Sequence, residues 1–417
     1  VLAAGVSAAV GLVAFVGLAA PAIVRALGAR RQGQVLATAP LAGALLLWLC
    51  DGLVMAAAGQ GGEMFPTGAV TGLIGGPLLL VLLPRLRATP PPSQEALHPR
   101  LARPGRWILA MAGLAAVLVA VMLAVGRVPE GWRLLDPETL ALFLPNRLPR
   151  LVAVAASGGL LALAGALLQR LTANPLASPE VLGVSGGAAM GYAGMLFLVA
   201  GPSAIVLTLG AAAGGALALA VILGFVLGRN ARPERLLLAG VAVSSLAAAV
   251  LSVLMAAGTQ KSFAVLAWLS GSAATVTAPG AVVLGLALVL LGGLALGLSR
   301  WLTALQLGPG IARGLGLPVT AAGGAVVALA GLATGAATIL VGPLSFVGLM
   351  APHLARRLGF ALVPGHLAGS VAIGAILMLA ADFGARMASF PYDLPLGLFA
   401  SLLGTPWLLW LMLRRPA

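Results

Sequence analysis

The chain has 417 residues, 61% of them hydrophobic and only 8% charged, whereas soluble domains carry about 25% charged residues. An ordinary soluble domain is therefore excluded. The apolar runs are long and continuous instead of alternating in short segments, which excludes a β-barrel and leaves a helical membrane protein. The formal net charge is +14, but the arginines lie between apolar runs, where they orient membrane helices. Nucleic acid is not an expected partner. The 57 glycines suit close helix packing in lipid, where small residues let backbones approach. Cys50 stands alone, so no internal disulfide forms. No Met and no basic n-region precede the first apolar run, so no signal peptide is legible. A start at Val1 inside an apolar stretch reads as a fragment of something longer.

In chain order, three spans are expected at 6–27, 35–57 and 67–84. PRLRATPPPSQEALHPRLARPGR (Pro84 to Arg106) follows, with five arginines and no apolar run. It reads as an extended cytoplasmic linker. About ten further spans follow at 107–126, 151–170, 181–200, 204–228, 236–257, 279–299, 319–341, 343–358, 367–388 and 394–413. The eighth is short, and 261–276 reads as an extra helix that does not cross. With Arg103 and Arg106 inside, alternation puts Arg170, Arg229, Arg232, Arg235, Arg300, Arg313, Arg356, Arg357, Arg414 and Arg415 inside too. Arg127, Arg133, Arg147, Arg150, Lys261 and Arg386 fall outside. Four arginines in one outer loop, 127–150, point to an acidic partner there.

The chain repeats itself. GLVAFVGLAAPAIVRALGA (Gly11 to Ala29) matches GPLSFVGLMAPHLARRLGF (Gly342 to Phe360) without a gap. Gly43-Ala44 then aligns with Gly374-Ala375, Asp51 with Asp382, and Pro66–Pro77 with Pro395–Pro406. Residues 1–84 thus repeat the end of the ten-span unit. The expected organisation is the C-terminal helices of a truncated first half (1–84), a linker (85–106) and a complete ten-helix half (107–417).

RLPRLVAVAASGGLLALAGALLQRLTANPLASPEVLGVSGGAAMG (Arg147 to Gly191), WLSGS (268–272), LGPGIARGLGL (307–317), GPLSFVGLMAPHLARRL (342–358), AADFGAR (380–386) and DLPLGLFASLLGTP (393–406) occur in this order. Together they resemble the FecCD-type permease family, the membrane subunits of ABC importers for ferric siderophores, haem and cobalamin. The resemblance implies an all-α polytopic membrane protein with a ten-helix permease unit of that type. It implies a transport permease and not an enzyme, working by alternating access in the bacterial cytoplasmic (inner) membrane. Its implied partners are two separate ATPase subunits, which use ATP and Mg, and a periplasmic or lipid-anchored substrate-binding protein. No cofactor or metal is expected on this chain. The double layout is similar to fused members that carry iron(III)-hydroxamates, with haem and cobalamin as alternatives. An ion-coupled secondary transporter needs intramembrane charges along its route, and only Asp51 and Asp382 offer themselves. An intramembrane enzyme would need a nucleophile or ligand grouping that the sequence does not show.

The resemblance implies roles for specific residues, each with a plainer alternative. Arg147, Arg150 and Arg386 would dock carboxylates of the binding protein; the alternative is arginines snorkelling at helix ends. Met55 stands where Arg386 has its counterpart in the first copy. Leu307, Gly308, Ala312, Arg313, Leu315 and Gly316 would enter a cleft of the ATPase; the alternative is an amphipathic connector. Asn174, Pro175, Leu176, Ala177 and Pro179 form an inner turn, and Gly183, Gly186 and Gly187 bare the next helix. These eight are pathway or gate candidates, or else punctuation and packing. His353 lacks companions for a metal site, since His98 and His366 lie in the linker and the next loop. Arg386 is the expected i+4 partner of Asp382.

Overall fold

The computed structural model describes residues 16–58, 72–73, 77, 100–128, 131–227, 233–344 and 346–413. Most of the expected third span and of Pro66–Pro77, the linker up to residue 99, and Arg229, Arg232, Arg414, Arg415 and His98 lie outside them. Among the described residues fifteen α-helices form: α1 Val16–Ala26, α2 Gln32–Ala58, α3 Pro104–Ala124, α4 Pro137–Thr172, α5 Val184–Leu198, α6 Ala204–Leu227, α7 Pro233–Ala256, α8 Gln260–Leu269, α9 Ala278–Gly297, α10 Ser299–Gln306, α11 Pro309–Gly314, α12 Val319–Val341, α13 Val347–Arg357, α14 Val363–Met387 and α15 Leu396–Leu413. Eight of the helices are long and apolar enough to cross a membrane.

Each of the ten spans expected after the linker contains a helix, with three differences. The eighth, α13, has 11 residues, a rise of about 16 Å against a hydrocarbon core of about 30 Å. Gly342 (φ 86°) and Phe346 (φ 72°) break the chain before it and Gly359 (φ 92°) after it, so it cannot lengthen into a span. The second helix, α4, is longer than expected at 36 residues. Pro145 and Pro149 did not end it. Spaced four apart, they put both missing N–H groups on one face, and the helix starts at Asp136, whose carboxylate accepts from Thr139 N at 3.0 Å and Thr139 Oγ1 at 2.7 Å. That is an N-cap, and it satisfies otherwise orphaned donors. The third difference is an antiparallel hairpin, β1 Val125–Val128 with β2 Gly131–Leu134, pairing Val125 with Leu134 and Val128 with Gly131.

The described helices fall into two compact units. One comprises 92–180 and 267–417, the other 1–91 and 181–266. They interleave along the chain, so compactness does not follow the repeat boundaries. In the first unit α4 is the central element, buried almost continuously from Leu151 to Arg170 and packed by α14, α12, α9 and α13. Glycine makes this possible: a Cβ on Gly158 would lie 2.3 Å from the Gly374 carbonyl oxygen, and one on Gly165 would overlap the backbone of Gly348. Such backbone approach is how helices adhere where lipid removes the hydrophobic drive. In the second unit α5 and α6 interlock through Gly187 and Gly214, with a Cβ on Gly187 only 2.5 Å from the Gly214 oxygen. Ala19 of α1 and Ala242 of α7 are buried together, flanked by Ile23, Leu46 and Leu238.

Candidate functional site

At the end assigned outside by the arginine bias, α4, α14 and the loop before α15 bring four charged groups together. Asp382 is fully buried; its Oδ1 accepts from Arg150 Nε at 2.9 Å, and Arg386 Nε lies 2.9 Å from its Oδ2. The second contact is an ion contact only, because neither Arg386 Nε nor Asp382 Oδ2 makes a hydrogen bond. Arg150 Nη1 reaches Asp393 at 2.6 Å, in the loop before α15. Side-chain exposure is 15% for Arg150, 9% for Arg386 and 40% for Asp393. Arg147 turns elsewhere: its Nη1 donates to the carbonyls of Leu123 (3.0 Å) and Val125 (3.1 Å), and its guanidinium lies over the Phe143 ring at 5.4 Å. It therefore ties α4 to the start of the hairpin.

The i+4 pairing of Asp382 with Arg386 is thus present, but the three arginines are not free cations. Arg150 and Arg386 neutralise a buried carboxylate, which a low-dielectric site requires. One feature stays open toward a partner, the Arg150–Asp393 arm; Arg386 Nη2 is buried without a hydrogen-bond acceptor. The hairpin adds Arg133, exposed, and Trp132, 59% exposed and stacked on Phe383 with centroids 6.0 Å apart. Arg127 lies over Trp132 and donates to the Met387 carbonyl. Asp393 was missed from the sequence because it sits in a loop motif read only as architecture. Asp51, the repeat counterpart of Asp382, is exposed on α2.

At the other end, Asn174 builds the turn after α4. Its Oδ1 accepts from Leu176 N at 2.9 Å and its carbonyl from Ala177 N at 3.1 Å. Ala173, at φ 49°, ends the helix in the left-handed region. Pro175 and Leu176 are exposed, while Ala177 and Pro179 are buried. Pro179 fills the space beside Gly348, where a Cβ would meet it at 2.3 Å. Next to it lies a group the sequence did not reveal. Glu180 Oε1 accepts from Phe346 N at 3.1 Å, holding the strained residue that caps α13. Burial pushes the Glu180 carboxyl up from 4.5 to about 7, against the opposing hydrogen bond from Phe346. The glycines of the candidate pathway set are packing positions here: Cβ atoms would meet Val243 at 2.9 Å from Gly183, Ala247 at 2.9 Å from Gly186 and Ala218 at 2.5 Å from Gly187.

The segment Leu307 to Gly316 forms a short step between α10 and α12. Gly308 (φ 95°) and Gly316 (φ 77°) flank α11, conformations that favour glycine. Ala312 is fully buried and anchors it. Leu307, Ile311 and Leu315 point outward, 54%, 55% and 65% exposed. Ile311 and Leu315 stand at i and i+4, one apolar stripe, and Leu307 precedes it across the break at Gly308, with Arg313 exposed nearby. Ile311 was absent from the expected set and belongs to the stripe by its spacing.

Known proteins are similar to this chain in sequence and fold. The FecCD transport family pattern matches residues 1–85 and 106–414. The chain is 43% identical over 98% of its length to the iron(3+)-hydroxamate import system permease protein FhuB of Salmonella typhimurium, and spans 60% of that protein's length. It is 37% identical to the achromobactin transport system permease protein CbrC of Dickeya dadantii, over 75% of this chain and 92% of that protein. A solved structure described as an inward-facing conformation of a metal-chelate type ABC transporter superposes with a TM-score of 0.67 at 28% identity, over 74% of this chain and 98% of its own. With a matching family pattern along nearly all its residues, the chain belongs to the FecCD transport family.

Proposed function

We propose that this chain is a permease component of an ATP-driven ABC importer for ferric siderophores, iron(III)-hydroxamates in particular, in the bacterial cytoplasmic membrane. The observation that carries the reading is the 43% identity to FhuB running along 98% of the chain. The order of the motifs and the family match to both copies of the repeat support it. Residues 1–84 act as the closing helices of one permease half and 107–417 as a full half, joined by the linker.

In this reading two ATPase subunits supply the work, and the chain itself binds neither ATP nor Mg. The exposed stripe Ile311 and Leu315, with Leu307 and Arg313, offers one ATPase an apolar knob with one cation. Gly308 and Gly316 let the step move as a unit. A binding protein docks at the opposite end, where Arg133, Trp132 and the Arg150–Asp393 arm meet its carboxylates. Docking by a carboxylate at Arg150 exchanges one anion for another: the incoming group takes Nη1 and Asp393 is released. The cargo arrives with its iron already wrapped by chelator, so the path needs small and apolar walls and no metal ligands. Asn174, Pro175 and Leu176, at the exposed tip of the inner turn, are the gate candidates this geometry favours.

The test is reconstitution of the full-length permease in vesicles with its ATPase and binding protein. Ferric hydroxamates should stimulate ATP hydrolysis and enter the vesicle, ahead of ferric catecholates, haem and cobalamin. Absence of stimulation by any ferric siderophore would reject the substrate class.

A further inference from the structure

We infer that Arg170 is the positioning residue that fixes the step Leu307–Gly316 to α4, α13 and α14 and carries its movement to them. Arg170 closes the last turn of α4 and is 8% exposed. Its Nη1 donates to Gln306 Oε1 at 3.2 Å, its Nη2 to the Ala361 carbonyl at 2.7 Å and its Nε to His366 Nδ1 at 3.3 Å. Since Nδ1 accepts, the ring proton sits on Nε2, which donates to the Pro352 carbonyl at 2.9 Å. His366 is fully buried, so this orientation is held on both sides.

One guanidinium thereby joins four elements. Gln306 is the last residue of α10, immediately before Leu307. Ala361 lies in the turn between α13 and α14. His366 belongs to the first turns of α14, and Pro352 to the middle of α13. Arginine suits the place because its planar fork serves several acceptors at fixed angles, which a lysine ammonium does not. The relay ends at a soft point. Pro352 has no N–H for the Gly348 carbonyl, so α13 is weakest there, and Gly348 sits against Pro179 and α4. Buried Leu302 and Ala312 hold the step by packing. The Gln306–Arg170 contact is the polar link that gives a push on α10 and α11 a direct route into α4 and α13.

The transmission part of the inference rests on the importer reading; the positioning part does not, and two measurements separate them. Hydrogen–deuterium exchange on the full-length protein in detergent reads positioning. Arg170→Met should speed exchange across residues 299–317 by about tenfold, the scale of one lost charge-assisted hydrogen bond, and leave 151–165 and the hairpin unchanged. Gln306→Ala, at an exposed position, should loosen 299–317 without disturbing the fold, and it decides the matter if Arg170→Met does not fold. Unchanged exchange in 299–317, or equal acceleration everywhere, overturns the positioning role. In vesicles with the ATPase, ferric hydroxamate uptake per ATP hydrolysed should fall at least fivefold in either variant while hydrolysis persists. A loosened step with unchanged uptake per ATP overturns the transmission role. If the unsubstituted protein shows no ATP-driven uptake, the importer reading fails, and exchange alone decides on Arg170.

Discussion

Arg150→Met tests the outer charge network most directly. The substitution keeps an apolar stem of similar length and removes the guanidinium. Asp382, fully buried, is left with Arg386 alone, through a contact that is not a hydrogen bond. Removing one partner of a buried ion pair costs about 3–5 kcal/mol, because the other charge stays behind unpaired. The second arm of Arg150 is a different case. Asp393 is 40% exposed, so solvent screens it and the pair contributes about 0–1 kcal/mol. Arg150→Met should therefore lower stability by about 3–5 kcal/mol, and Asp393→Asn by no more than about 1 kcal/mol. The assay is reversible unfolding of the full-length protein in detergent, followed by circular dichroism against denaturant. A loss below about 1 kcal/mol for Arg150→Met, or equal losses for the two variants, would refute the burial argument. The pair also separates stability from docking. Asp393→Asn removes the anion that competes for Nη1, so binding-protein affinity should rise. Weaker or unchanged capture would reject Arg150 as a docking group. Charge reversal at Arg150 is a poor docking probe, because it sets a second carboxylate against Asp382.

Three further outcomes are expected. The folded chain holds a proton on Glu180 between pH 4.5 and about 7, where the unfolded chain has lost it, so stability falls as pH rises through that window by roughly 3 kcal/mol. Glu180→Gln keeps an acceptor for Phe346 N, so it should match the parent at pH 5 and exceed it at pH 8; a difference that is the same at both pH values would remove this account of Glu180. Gly158→Ala must push α14 away from α4 and should cost about 1–3 kcal/mol by overpacking, read in the same unfolding assay; a neutral result would mean that the crossing is looser than its geometry. Ile311→Asp with Leu315→Asp alters exposed residues, so the unfolding midpoint should hold while ATPase binding in pull-down falls at least tenfold; intact binding would take the apolar stripe out of the coupling role.

What the sequence showed and what it concealed divide by the range of the interactions involved. Run length and arginine placement locate the helices, since lipid demands about 20 apolar residues per crossing. The i+4 contact of Asp382 with Arg386 is visible for the same reason, because helix periodicity alone brings them together. The rest of the network is not local. Arg150 and Asp382 are 232 positions apart, and no spacing rule predicts that α4 and α14 cross at Gly158 and Gly374 and so bring that pair within reach. The hairpin stayed hidden because VGRV and GWRL are too short to show alternation. The start of α4 stayed hidden because Pro145 and Pro149 read as breakers until one sees them share a face. The repeat shows where this limit falls. Asp51 and Asp382 occupy matching places in matching helices, yet Asp382 is buried between two arginines while Asp51 is exposed and has Met55 where Arg386 would stand. A shared segment fixes the helix and the position of its carboxylate. What that carboxylate does depends on whether an arginine from a distant helix reaches it, and in this chain the described residues provide that arginine to one copy alone.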